Sequence, residues 1–107
     1  MSAAYDQGKK DGVEADVPMN GFAASQKDSR YVRGYFDGYT YKRSITVGTN
    51  QAAFEAGQLC LEYRLPYDDV AKTYDHPHDD TPRRMFDGGY GVDDEDQFED
   101  DEDDFRD

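Results

Sequence analysis

Small and aromatic residues, more than aliphatic ones, carry the periodic signal in this chain. Ala4, Gly8 and Gly12 recur every four residues, which places them on one stripe of a helix where a second backbone can approach closely. Each glycine costs a helix about 1 kcal/mol relative to alanine, so tertiary packing must compensate. Val17-Pro18-Met19-Asn20-Gly21 breaks this first helix. Asp28 or Ser29 can cap a second, in which Tyr31, Gly34, Tyr35 and Gly38 fall three and four residues apart. The aromatic rings of one stripe are expected to sit against the glycines of the other.

The second half repeats the theme. Thr49 or Asn50 can cap a helix with Phe54, Gly57, Leu61 and Leu65 on one face, and Leu65-Pro66 ends it. Residues 68–74 suit a further short helix, and residues 76–82 a loop. Gly88-Gly89-Tyr90-Gly91 lacks the lysine and hydroxyl of a phosphate loop and reads as a flexible exit from the last helix. Residues 39–47 are rich in aromatic and β-branched side chains, so a short strand is an alternative to helix there.

Two segments recur in order. Ala3-Ala4-Tyr5-Asp6-Gln7-Gly8 resembles Ala52-Ala53-Phe54-Glu55-Ala56-Gly57, and Tyr35-Phe36-Asp37-Gly38-Tyr39 resembles Met85-Phe86-Asp87-Gly88-Gly89-Tyr90. The expected fold is therefore mainly α: a small duplicated helical-hairpin body, with units at 1–48 and 49–92, followed by a disordered acidic tail at 93–107.

Charge sharpens that division. The net charge is -13, yet residues 1–92 hold fourteen acids and eleven bases, whereas residues 93–107 hold eleven acids and one arginine. A body of this size buries only a modest core. No stretch approaches the roughly 18 apolar residues of a membrane span, and the start, Met1-Ser2-Ala3-Ala4-Tyr5, is neither basic nor apolar, so a cytoplasmic setting is expected. Cys60 is the single cysteine, which excludes an internal disulfide and fits a buried, inert thiol.

The pattern Ala4-Tyr5-x-x-Gly8-x-x-x-Gly12, a loop with Pro18 and Asn20, then Tyr31-x-x-Gly34-Tyr35-x-x-Gly38, resembles the ribosome modulation factor family. The likeness covers residues 3–43 and, more faintly, 52–92. Members are short two-helix proteins whose prototype binds the small ribosomal subunit, so the resemblance implies a two-helix scaffold and a ribosome or RNA partner. This chain carries Tyr31 and Tyr35 where the family usually has tryptophan, and it is acidic where the prototype is basic.

Catalytic signatures are missing from the sequence: it contains no Walker loop, dinucleotide fingerprint, nucleophile elbow or HExxH. No enzymatic activity and no cofactor are expected. His76 and His78, flanked by Asp75, Asp79 and Asp80, form a donor pair for a divalent transition metal, although a solvated, proline-stiffened loop is the simpler reading. Residues 93–102 lack the glycine that a calcium-binding EF loop needs at its sixth position.

Two partner classes follow. In the first, Asp93, Asp94, Glu95, Asp96, Glu99, Asp100, Asp101, Glu102, Asp103 and Asp104 replace nucleic-acid phosphates in the basic groove of a host nucleic-acid-handling protein, with Phe98 and Phe105 as apolar anchors. Small acidic phage proteins that block defence nucleases, anti-CRISPR and anti-restriction proteins among them, are similar in size and charge. In the second, Arg30, Tyr31, Arg33, Tyr35, Lys42 and Arg43 contact RNA through phosphate pairing and base stacking. The tail can also fold back and mask Arg30, Arg33, Lys42, Arg43, Arg83 and Arg84.

Overall fold

The computed structural model describes residues 2–92. They form α1 (Ala3–Glu14), α2 (Gly21–Ser25), α3 (Ser29–Val47), α4 (Thr49–Glu62), α5 (Tyr67–Ala71), a 3-10 turn (Lys72–Tyr74) and α6 (Thr81–Tyr90). No strand occurs among the described residues. The expected disordered tail at 93–107 lies outside them.

Local chemistry sets the boundaries. Ser2, Asn20 and Asp28 precede α1, α2 and α3 and accept hydrogen bonds from the backbone N–H groups of Tyr5, Ala23 and Arg30, satisfying donors that a helix start leaves open. Pro82 sits in the first turn of α6, where its missing N–H costs nothing. Gly48 alone joins α3 to α4, at φ 94, a conformation that side chains disfavour.

The possible strand at 39–47 is instead the second half of α3. Thr40, Ser44 and Thr46 donate their hydroxyls to carbonyls of the preceding turn, and Tyr39 and Thr40 are buried. Burial on a continuing helix outweighs the local β preference.

The mainly helical duplicated body is present, with α1 packed on α3 and α4 on α6. Contact is backbone to backbone. A Cβ at Gly8 would overlap the Tyr31 carbonyl, one at Gly12 the Tyr35 carbonyl, and ones at Gly34 and Gly38 the carbonyls of Tyr5 and Lys9. Because these contacts advance together, α1 and α3 run in the same direction, and residues 15–28 return the chain between them.

Gly57 meets Phe86 and Tyr90 in the same way, and Gly89 meets Phe54 and Gln58. Tyr67 lies against Tyr90 at 4.8 Å between ring centroids, Tyr74 against Phe86 at 5.1 Å, and Arg83 donates to Asp75 at 2.6 Å. The connector thus runs back along α6, giving α4 and α6 a common direction too.

Two expectations need correction. Gly88-Gly89-Tyr90 belongs to α6, where Gly89 is a packing position and not part of a flexible exit. Leu61 does not share the buried face of α4: it is 53% exposed, whereas Ala53, Ala56, Leu59 and Cys60 are buried. Apart from Leu59 the inner face is made of small residues, and at Gly57 the α6 backbone comes close enough to exclude a side chain.

One continuous core joins the two pairs. Phe36 and Phe86 are its largest fully buried side chains, surrounded by Val32, Tyr35, Val70 and Cys60. Burying each phenylalanine removes enough apolar surface to contribute about 1.5–3 kcal/mol.

Candidate binding surface

Each helix pair carries a Tyr–Asp–Arg cluster. In the first, the Tyr5 hydroxyl donates to Asp37 Oδ2 at 2.5 Å, and Arg33 Nε donates to Asp37 Oδ1 at 3.1 Å. The hydrogen bond to Asp37, with burial, pushes the Tyr5 phenol up to about 12. In the second, the Tyr67 hydroxyl donates to Asp87, which also receives Arg83 Nε at 3.3 Å. The bonds of Arg83 to Tyr67 and Asp75 hold its guanidinium more firmly protonated than usual. The sequence repeat marked Phe36 and Asp37 against Phe86 and Asp87. It missed Arg33 and Arg83 as equivalents, and Tyr67, because the tyrosine comes from an unrelated segment in each pair.

The six residues considered for RNA contact do not assemble into one patch. Arg30 is exposed and pairs with its own helix cap, Asp28, at 3.1 Å. The Tyr31 hydroxyl donates to Asp11 at 2.5 Å, a bond that, with burial, moves its phenol up to about 12. Tyr35 is buried and accepts from the Met19 N–H at 3.0 Å. Lys42 donates to the Ala15 carbonyl at 2.9 Å, and Arg43 grips both oxygens of Glu55 at 2.7 and 2.9 Å. Arg43 lies roughly 20 Å along the helix axis from Arg30.

Two of the concave surfaces among the described residues combine polar side chains with an apolar floor. A cleft of about 350 Å³ between the helix pairs is lined by Asp37 with its partner Arg33, and by Thr40, Ser44 and Thr73, over Phe36 and Val70. Thr40, Ser44 and Thr73 already donate to carbonyls of their own turns at 2.8, 2.6 and 2.7 Å, which leaves acceptor lone pairs for a guest. A groove of about 340 Å³ lies where the start of α3 meets the end of α4, with Lys27, Arg33 and Arg64 on its walls. Neither was legible in the sequence, since each draws residues from distant segments.

The remaining candidates are placed as follows. His76 and His78 share a loop with ring centroids 5.9 Å apart, and the His78 N–H donates to His76 Nδ1 at 3.0 Å, engaging that nitrogen. Among the described residues no group of three or more His, Cys, Asp or Glu could hold a metal ion. Cys60 is buried as expected, its thiol 3.6 Å from the Leu65 carbonyl and pushed by burial up to about 11. The acidic residues from Asp93 to Asp104, with Phe98 and Phe105, lie outside the described residues.

The described residues form a small all-helical body built from two glycine-packed helix pairs. Residues 1–92 match the family described as Protein of unknown function (DUF2623), and the chain belongs to that family. The match stops where the acidic run begins. No curated protein and no solved structure matches the chain. No helix among the described residues is long and apolar enough to cross a membrane.

Proposed function

We propose that the chain is a non-enzymatic acidic binding protein, of the kind that inhibits by nucleic-acid mimicry, and that it engages a basic surface of a nucleic-acid-handling protein in the cytoplasm. The observation that carries this reading is how the body uses its charges. Arg33 and Arg43 are drawn into half-buried ion pairs and Arg30 and Lys72 into exposed ones, whereas Asp6, Glu14, Asp16 and Asp68 are exposed, as are Lys9, Lys10, Lys27 and Arg64, and the balance over residues 1–92 stays net negative. The cleft supports it further, because Thr40, Ser44 and Thr73 keep acceptor lone pairs for the donors of a lysine or arginine and Phe36 and Val70 suit its aliphatic stem, beside an Asp37 carboxylate that Tyr5 and Arg33 already share. Residues 93–107 add carboxylates that strengthen and steer the encounter.

A ribosome-associated or RNA-binding factor of the modulation-factor type is the second reading. The observation in its favour is that residues 3–43, which carry that resemblance, hold α1 and the part of α3 that packs closely against it.

The test compares the full chain with a variant in which Asp100, Asp101, Glu102, Asp103 and Asp104 become Asn or Gln, and with Arg30→Ala plus Arg33→Ala. The probes are purified bacterial ribosomes and the protein pool that phosphocellulose retains from a bacterial lysate, each at low and high salt. Mimicry predicts binding to the basic pool, weakened on the order of tenfold by tail neutralisation, with a flatter salt dependence. Binding to ribosomes, lost only in the arginine variant, rejects it and establishes the second reading.

A further inference from the structure

The groove between α3 and α4 inverts the charge of the chain that carries it. Lys27, Arg33 and Arg64 line it together with the apolar Val32, Tyr63 and Leu65, and none of its described lining residues is acidic. Asp37 compensates Arg33, and the exposed Lys27 and Arg64 add further positive charge. Arg64 is held there by the backbone. It is the one non-glycine residue among those described with a positive φ, 59, in the turn where the Leu65 N–H closes onto the Cys60 carbonyl at 3.0 Å. That position ordinarily takes glycine.

We propose that this groove is the docking site of the chain's own acidic segment, residues 93–107, which masks part of its own carboxylates in the free protein. Three observations select this occupant. The segment carries eleven acids and one arginine, with Phe98 and Phe105 spaced among them to meet the apolar floor. It starts close by: α6 ends at Tyr90, whose ring lies 4.8 Å from Tyr67, the sequence neighbour of Pro66 in the groove wall. It is long enough, because fifteen extended residues span roughly 50 Å, close to the longest dimension of the molecule, 53 Å. Of the cations that the sequence suggested for such masking, Arg33 alone lines the groove. Arg30, Lys42, Arg43, Arg83 and Arg84 lie elsewhere and have partners within the fold, while Lys27 and Arg64 carry no sequence signal.

Docking of the tail concerns the free protein and stands whether or not the partner reading does. It is a tethered equilibrium, so it competes with the same segment supplied from outside. The test titrates a synthetic peptide of residues 93–107 into the full chain at low salt, following amide resonances of Lys27, Ser29, Arg64 and Leu65. The comparison is the full chain with Asp100, Asp101, Glu102, Asp103 and Asp104 neutralised. The tethered segment acts at an effective concentration near millimolar, so the peptide is expected to bind wild type at least about tenfold more weakly than the neutralised chain. In the full chain, Lys27→Gln with Arg64→Gly should shift tail resonances at low salt but not at high salt, and glycine at φ 59 preserves the fold. Equal peptide affinity for wild type and the neutralised chain overturns the proposal. So do tail resonances that ignore the groove variant, or peptide-induced shifts centred on Arg43 or Arg83.

Discussion

Gly8 and Gly34 are each pressed against the backbone of the other's helix. A side chain on Gly8 would strike the Tyr31 carbonyl three residues before Gly34, and one on Gly34 would strike the Tyr5 carbonyl three residues before Gly8. The obstacle on both sides is backbone held in a helix, which cannot turn aside as a flexible side chain would. Gly8→Ala and Gly34→Ala are each expected to lower stability by about 1–3 kcal/mol through overpacking, despite alanine's better helix propensity. Denaturant midpoints measure this directly, and a gain in stability at either position would contradict the packing described.

Neighbouring glycines of α6 should respond in opposite directions. Gly89 is pressed against the Phe54 carbonyl, whereas a Cβ on Gly88 would meet nothing nearer than the Phe54 ring edge at 4.0 Å. Gly88→Ala is expected to stabilise by about 0.5–1 kcal/mol, and Gly89→Ala to destabilise. Thermal melts of the two variants check the register of α6 on α4 to a single residue.

The phenol of Tyr5 links stability to alkaline pH. Its folded value lies above the ordinary 10.0, at about 12, because the neutral hydroxyl donates to Asp37. The contribution is therefore fully present below pH 10 and is lost as pH rises towards 12. Tyr5→Phe should cost about 1 kcal/mol at neutral pH, at the low end for a bond to a charged group since the site is partly exposed. The difference in Tm between wild type and variant should shrink across that window, and a gap that stays constant would show that the bond does not set the titration.

At the acidic end the bidentate pair between α3 and α4 takes over. Arg43, bonded to Glu55, holds its carboxyl below the usual 4.5. The stabilisation is present above pH 4.5 and is lost as pH falls through the lower, folded value. Glu55→Gln is expected to cost about 1 kcal/mol at neutral pH and progressively less in acid. Urea titrations of both proteins over the acidic range decide it, since equal losses at neutral and acid pH would remove Arg43 as the cause.

The glycine stripe of the first pair was legible because Gly8, Gly12, Gly34 and Gly38 keep a four-residue spacing that only a helix aligns. The second pair was harder to read. Sequence similarity matches Gly38 to Gly88, while packing uses Gly89, and the inner face of α4 is made of alanines that hydrophobicity alone ranks below the exposed Leu61. Thr40 and Ser44 were ambiguous for a related reason, since strand preference and back-bonding to a helix carbonyl use the same residues. The candidate surfaces were the least legible part. Lys27, Arg33 and Arg64 gather only after a left-handed residue turns the chain beyond α4, and no local pattern announces an arginine at that position.

Cys60 gives the molecule an internal gauge of its own breathing. Its sulfur has no exposed surface and sits in the core that both helix pairs share, so a thiol reagent reaches it only in moments when α4 loosens from its neighbours. The rate of alkylation therefore counts those openings without any introduced label. Compared across the glycine, tyrosine and glutamate variants, it separates a change that frees the two pairs from each other from one that merely frays an end.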